Sequence, residues 1–226
     1  QLWCGDFISM GLIRIINPNS NDGVTQAISE ALEPLRLDGG PKIDCVTIVE
    51  GPFGVESDHD VGVAGALVRD EVKKDTEAAA FVIACYSDPG LAEARQETKK
   101  PVFGMAESAI FTAVTFGGDF GVISILDQSV PRHMKHLEER GMTHLCAGDR
   151  PINMTVAESA SADGAFKRLV EVGSDLLDKD GAKSIILGCA GMARHRTALE
   201  AELGIPVIDP VQAGAAMAVG AVCLDC

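Results

Sequence analysis

Ala80-Phe81-Val82-Ile83-Ala84-Cys85-Tyr86-Ser87-Asp88-Pro89-Gly90 is a short apolar run that stops at a cysteine and turns into small polar residues. Its length, its β-branched and aromatic content and the closing Asp-Pro-Gly predict a central strand of a parallel sheet. The thiol of Cys85 then stands at the strand's carboxyl end, where open α/β sheets place their ligands. Taken alone, Cys85 reads as a buried structural cysteine, the commoner fate of such a residue. A second stretch shifts that reading. Ala182-Lys183-Ser184-Ile185-Ile186-Leu187-Gly188-Cys189-Ala190-Gly191-Met192 repeats the pattern of apolar run, cysteine and small residues, so two strand ends each present a thiol, and both sulfurs are expected to face one cleft.

Outward from these stretches the chain alternates strand and helix patterns. Leu12 to Ile16 predicts a strand, Asn17-Pro18-Asn19-Ser20-Asn21 a capping turn, and 22 to 35 a helix. A strand over 43–49 leads into a loop rich in Gly, Pro and acids from Glu50 to Asp60, long enough to be functional. Helical spacing follows over 61–76, then the Cys85 strand, a charged helix over 91–99, a strand over 101–105 and an apolar helix over 107–115. The pattern then restarts with a strand over 120–126, a polar turn over 127–131, a helix over 132–140, a strand over 143–147 and a helix from about Ser161 to Asp178. The Cys189 strand, a helix over 194–203, a strand over 205–210 and an Ala- and Gly-rich helix over 211–222 close the chain. Each half runs about 70 residues from first strand to cysteine, which suggests an internal duplication with one thiol per half. Alternating elements argue for an α/β fold with parallel sheets covered by helices on both faces.

With 226 residues the chain suffices for one large α/β domain or two of roughly 100 residues, either able to bury a core. Nineteen basic against 33 acidic residues give a formal charge of -14, which argues against nucleic acid or anionic membranes as partners and for small or neutral ones. Seven scattered cysteines do not form the dense framework of a small secreted domain, so a reducing cytoplasm is expected. No apolar run approaches the roughly 18 residues that span a bilayer, and no signal-peptide pattern opens the chain. Because Met10-Gly11 leads straight into the first strand, residues 1–9 are expected to lie upstream of the fold.

A thiol titrates near pH 8.5, and a helix N-terminus after each strand is expected to lower Cys85 and Cys189 toward neutrality. With the two on opposite faces of a substrate, one as thiolate can take a proton from a carbon acid while the other returns one to the opposite face. That inverts a stereocentre without a cofactor. The intervening enolate needs donors, and the backbone N–H groups of Tyr86, Ser87, Ala190 and Gly191 are candidates.

Asn17-Pro18-Asn19-Ser20, Ala84-Cys85-Tyr86-Ser87-Asp88-Pro89-Gly90 and Leu187-Gly188-Cys189-Ala190-Gly191-Met192 together resemble the hydantoin racemase branch of the aspartate/glutamate racemase superfamily. The resemblance runs from Leu12 to Val222. It implies two pseudosymmetric, doubly wound domains with the active site between them, cofactor-independent racemisation through the cysteines matching Cys85 and Cys189, and a homo-oligomer. The expected division is 11–109 plus 207–226 for the domain carrying Cys85, and 110–206 for the domain carrying Cys189. Asn19 and Ser20 would lie in the site, with Ser124 at the equivalent position of the second half. Amino-acid racemases of the superfamily carry Asp-Ser after the first strand and Cys-Asn-Thr at the first cysteine. Neutral Asn17 and Asn19 replace that charge here, which suits a neutral cyclic ureide such as a 5-substituted hydantoin or allantoin better than free glutamate or aspartate.

Other readings compete. A maleate-isomerase-like enzyme would add one thiol to a double bond. An arylmalonate-decarboxylase-like enzyme would be expected to keep only one of the thiols, and a cysteine hydrolase would need a histidine, for which His195 is the candidate. A non-catalytic binding module is the plainest alternative. His195 and His59 read as solvated residues by default, Cys45 and Cys146 as core, Glu56-Ser57-Asp58 as a solvated loop, and Cys223 with Cys226 as a tail rather than a metal or redox site. Gly117-Gly118-Asp119 has no phosphate-loop pattern, and no dinucleotide fingerprint occurs.

Overall fold

The computed structural model describes residues 11–160 and 164–225. The expectation for residues 1–9, the helix start near Ser161, and Cys226 lie outside the described residues.

The first half contains β1 (Leu12–Asn17), α1 (Asp22–Ala31), β2 (Lys42–Thr47), α2 (Asp58–Lys74), β3 (Ala80–Ile83), α3 (Leu91–Glu97), β4 (Val102–Gly104) and α4 (Met105–Thr115). The second contains β5 (Phe120–Ser124), α5 (Val130–Glu139), β6 (Cys146–Pro151), α6 (Val156–Ser159), α7 (Ala165–Asp178), β7 (Ser184–Leu187), α8 (Arg196–Leu203), β8 (Val207–Ile208) and α9 (Pro210–Cys223). They build two parallel four-stranded sheets of the same order, β2-β1-β3-β4 and β6-β5-β7-β8. The fold is a pair of doubly wound α/β halves, and the duplication is visible in the topology. β3 and β7 are fully buried central strands, which is why both read as unbroken apolar runs. Each cysteine stands two residues beyond its strand, after Ile83 and after Leu187.

One apolar core runs through both sheets, and a smaller one lies under α2 and α3 on the far face of the first sheet. Phe81 in β3 and Phe120 in β5 are both fully buried, each burial contributing roughly 1.5–3 kcal/mol. α4 touches β7 and β8 as well as α9, so it lies between the halves. β8 pairs with β7, whereas α9 packs on β1, β3 and β4; the chain therefore crosses back at Asp209, the N-cap of α9. A Cβ on Gly214 would stand 2.9 Å from Val82 Cγ1, so the glycine sets how closely α9 approaches the sheet. Among the described residues, no helix is long and apolar enough to cross a membrane.

Several element ends differ from the sequence reading. α1 stops at Ala31 because Pro34 cannot continue it, and a 3-10 turn over Glu33–Leu35 follows. α2 starts earlier than expected, at a capping box between Ser57 and Asp60. β6 lies later than the expected 143–147; it is a half-buried edge strand with a register shift beside Phe120/Gly121, so it lacks the apolar signature of a central strand. The short α6 was not expected, although Thr155 and Glu158 form a capping box for it.

Candidate active site

The carboxyl ends of β1, β3 and β7 converge on one cleft, and Cys85 and Cys189 both line it. Asn19, Tyr86, Ser87 and Ala190 line it too. Three other expected site residues stand back from it. Ser20 points its N–H at Pro52 O (2.9 Å), Gly191 gives its N–H to Cys189 Sγ (3.4 Å), and Ser124 is sealed beneath the cleft wall at 0% exposure. The free space between the walls is about 30 Å³, so the protein is closed tightly around the two thiols.

Asn19 is held by local geometry. Its Oδ1 accepts from Asn17 Nδ2 (3.1 Å) and from the Asn21 backbone N–H (3.0 Å), and Asn17 Nδ2 also donates to Thr25 Oγ1 (2.9 Å). These uncharged groups stand at the end of β1, in the turn after it and on α1.

The expected lowering of the thiols is overturned. Burial pushes the Cys85 thiol up to about 12, against a hydrogen bond from Ser87, and the nearby Cys189 raises it further. Burial also raises Cys189, against hydrogen bonds from Gly191 and Ser159. The reason is structural. Cys85 is separated from α3 by a turn whose last residue, Gly90, is left-handed, and Cys189 opens a 3-10 turn over Ala190–His195 rather than an α-helix. Neither sulfur meets a helix N-terminus strong enough to offset desolvation. Because a thiolate at Cys189 disfavours one at Cys85, the two do not ionise together, which leaves at most one thiolate in the pair at a time.

Residues of the second half that the sequence reading did not single out complete the walls. His133 and Arg132 come from α5, and Ser129 from the turn before it. His133, 5% exposed, lies edge-on to the Tyr86 ring with centroids 4.8 Å apart. Its Nδ1 donates to Asp149 Oδ2 at 2.8 Å, and the Ser124 hydroxyl donates to the other oxygen of Asp149. Arg132 Nε donates to Ser87 Oγ at 3.0 Å. The Ser129 to His133 spacing of four was the one available signal for this wall, since such residues share a helix face.

The acidic loop closes the mouth. Val55 lines the cleft, Gln128 Nε2 donates to Glu56 O (2.9 Å), and the Val156 N–H donates to Glu56 Oε1 (3.0 Å), so the loop is tied to the second half. His59 is exposed on α2 and His195 is buried behind Cys189 near Phe166; neither lines the cleft. Cys45 and Cys146 are half-buried against the core, and Cys223 is exposed.

Known proteins resemble this chain along nearly its whole length. The hydantoin racemase of Paenarthrobacter aurescens is 35% identical over 94% of this chain and 91% of its own. That of Pseudomonas sp. (strain NS671) is 36% identical over 89% and 82%. The structure of allantoin racemase from Klebsiella pneumoniae superposes with a TM-score of 0.89 at 29% identity, over 95% of this chain and 89% of that one. A family model described as Asp/Glu/Hydantoin racemase matches residues 13–218, and with two like-built halves meeting at one cleft, the chain belongs to that family and is an isomerase of the racemase type.

Proposed function

We propose that this enzyme interconverts the enantiomers of 5-monosubstituted hydantoins or of allantoin, without a cofactor, by proton transfer through Cys85 and Cys189. The observation that carries the reading is the equivalent placement of the two thiols, each two residues beyond a central strand and both on one cleft. Carbon 5 of the ring lies between a carbonyl and a nitrogen, which acidify its proton. One thiolate removes that proton, the enolate is held by the polar walls, and the opposite thiol protonates the other face. Burial supports this assignment, because a desolvated thiolate is a stronger base toward a weak carbon acid. The uncharged Asn17 and Asn19 support a neutral ring over a free amino acid.

Loss of optical rotation and uptake of solvent deuterium, followed on single enantiomers of several hydantoins and of allantoin, test the reading. Exchange on none of them would sink it. Cys85→Ser and Cys189→Ser are each expected to abolish racemisation, while each retains exchange with a different enantiomer. A variant that racemises normally removes that cysteine from the mechanism.

One observation favours a second reading. A cysteine hydrolase would find its histidine in His133, oriented by Asp149, rather than in His195. Ring-opened product without deuterium at carbon 5 would identify it. We assign the enzyme to the cytoplasm, whose reducing chemistry suits free thiols at Cys45, Cys85, Cys146, Cys189 and Cys223. Apolar side chains exposed on and just after α4, Phe111, Val114 and Phe116, support the expected homo-oligomer, which size-exclusion chromatography tests.

A further inference from the structure

The wall that α5 gives to the cleft carries two polar groups whose hydrogen-bonding capacity is unspent. The carboxylate of Asp149 can only accept, so the imidazole proton of His133 stands on Nδ1, facing it at 2.8 Å. In the neutral ring this leaves Nε2 as a lone pair. Among the described residues nothing hydrogen-bonds to that nitrogen, and His133 lines the cleft while its Nδ1 side is taken up by Asp149 and Ser124. Ser129 lies four residues earlier, on the same face, and lines the same cleft. Its hydroxyl is buried and has no hydrogen-bond partner among the described residues. A sealed hydroxyl left unpaired costs about 1–3 kcal/mol, which a ligand group would recover.

We propose that this pair reads an amide edge of the substrate: His133 Nε2 accepts from a ring N–H, and the Ser129 hydroxyl donates to the adjacent carbonyl. An N–H beside a C=O is the repeating unit of a cyclic ureide, and the acceptor and donor are matched to it in order. Asp149 is the positioning residue, because its carboxylate fixes the tautomer that makes Nε2 an acceptor; Ser124, expected in the site, serves here by anchoring Asp149. The inference rests on the racemase reading for its substrate. It goes beyond it by making a free ring N–H a requirement.

The test uses the full-length enzyme and follows deuterium uptake at carbon 5 for three compounds, each normalised to its uncatalysed exchange. They are a 5-substituted hydantoin, the oxazolidine-2,4-dione in which oxygen replaces N1–H, and the N3-methyl hydantoin. Wild type is expected to disfavour one of the two analogues by at least about 100-fold in kcat/KM. His133→Asn keeps a donor for Asp149 but removes the acceptor facing the cleft. It should lose about 10- to 100-fold on the parent and little on that analogue, while His133→Gln, whose amide oxygen reaches the position of Nε2, recovers part of the loss. Ser129→Ala should lower kcat/KM for all three alike. Equal use of all three compounds by wild type overturns the proposal, as does an equal loss on all three in His133→Asn, which would mark a purely structural histidine.

Should wild type exchange none of them, the racemase reading fails, and nitrogen NMR of His133 decides the inference separately. A change at Nε2 on adding the hydantoin, absent with one analogue, upholds it; no change with the hydantoin overturns it.

Discussion

Arg132 Nε donates to Ser87 Oγ at 3.0 Å, so the second half of the chain grips the loop that carries Cys85 in the first. The same guanidinium reaches Asp58 Oδ1 at 2.8 Å, at the start of α2. Burial dominates the Cys85 thiol and raises it, and the Arg132 charge works in the opposite direction.

Arg132→Ala is therefore expected to lower kcat/KM about 10- to 100-fold, with stability changed by less than about 1 kcal/mol, since Asp58 is 91% exposed and its ion pair is worth little. Arg132→Lys should recover only part of the activity, because a compact ammonium cannot serve both partners as a planar fork does. Steady-state kinetics beside thermal melts check this; a destabilised variant with unchanged kcat/KM would contradict it.

With Cys85 raised to about 12 and Cys189 also raised, both thiols are protonated at neutral pH. The working thiolate is a minor species whose population grows about tenfold per pH unit. For each enantiomer kcat/KM should climb with a slope near one between roughly pH 6 and 9. An optimum near neutrality would contradict the burial of the pair.

The Glu56 charge is one of the influences that raise Cys189, after burial. Glu56→Gln keeps an oxygen to accept from the Val156 N–H and removes that charge. The rise in rate assigned to Cys189 should move toward lower pH, and the rise assigned to Cys85 should stay in place. Profiles for the two enantiomers, measured separately, distinguish these outcomes.

Asp88 accepts from the backbone N–H groups of Ala106 and Glu107, both at 2.9 Å, and so pins the Cys85 loop to the start of α4. Burial raises its carboxyl to about 7, and burial raises Asp209 to about 6. Both folded values lie above the ordinary 3.8, so the folded chain binds more protons than the unfolded chain between about pH 4 and 7. The associated stability is complete below that window and is lost as pH rises through it, on the order of 2 to 4 kcal/mol for Asp88. Urea midpoints at pH 5 and pH 8 should converge in Asp88→Asn relative to wild type. An unchanged difference would show that Asp88 does not titrate in this range.

The central strands were legible because their burial on both faces leaves an unbroken apolar run, as in Phe81-Val82-Ile83 and Ile185-Ile186-Leu187. β6 was misplaced because an edge strand is half-exposed and carries Gly148, Asp149 and Arg150 where a central strand would be apolar. Of the residues that line the cleft, those that the sequence singles out are local to a strand end: Asn19, Cys85, Tyr86, Ser87, Cys189 and Ala190. His133, Arg132 and Asp149 were missed because their partners are distant in the chain. His133 meets Asp149 across 16 positions and Arg132 meets Ser87 across 45, and no periodicity within one element marks such a pairing.

The amino-acid sequence by itself determined the two repeated halves, the strand ends from which the two thiols project and the family to which the chain belongs. These follow from short-range pattern and from motifs that a strand and its loop carry together. Only the tertiary structure decided how basic the thiols are and which polar groups face them. Ionisation depends on the protein packed around each sulfur in three dimensions, where desolvation exceeds any pull of a nearby helix N-terminus.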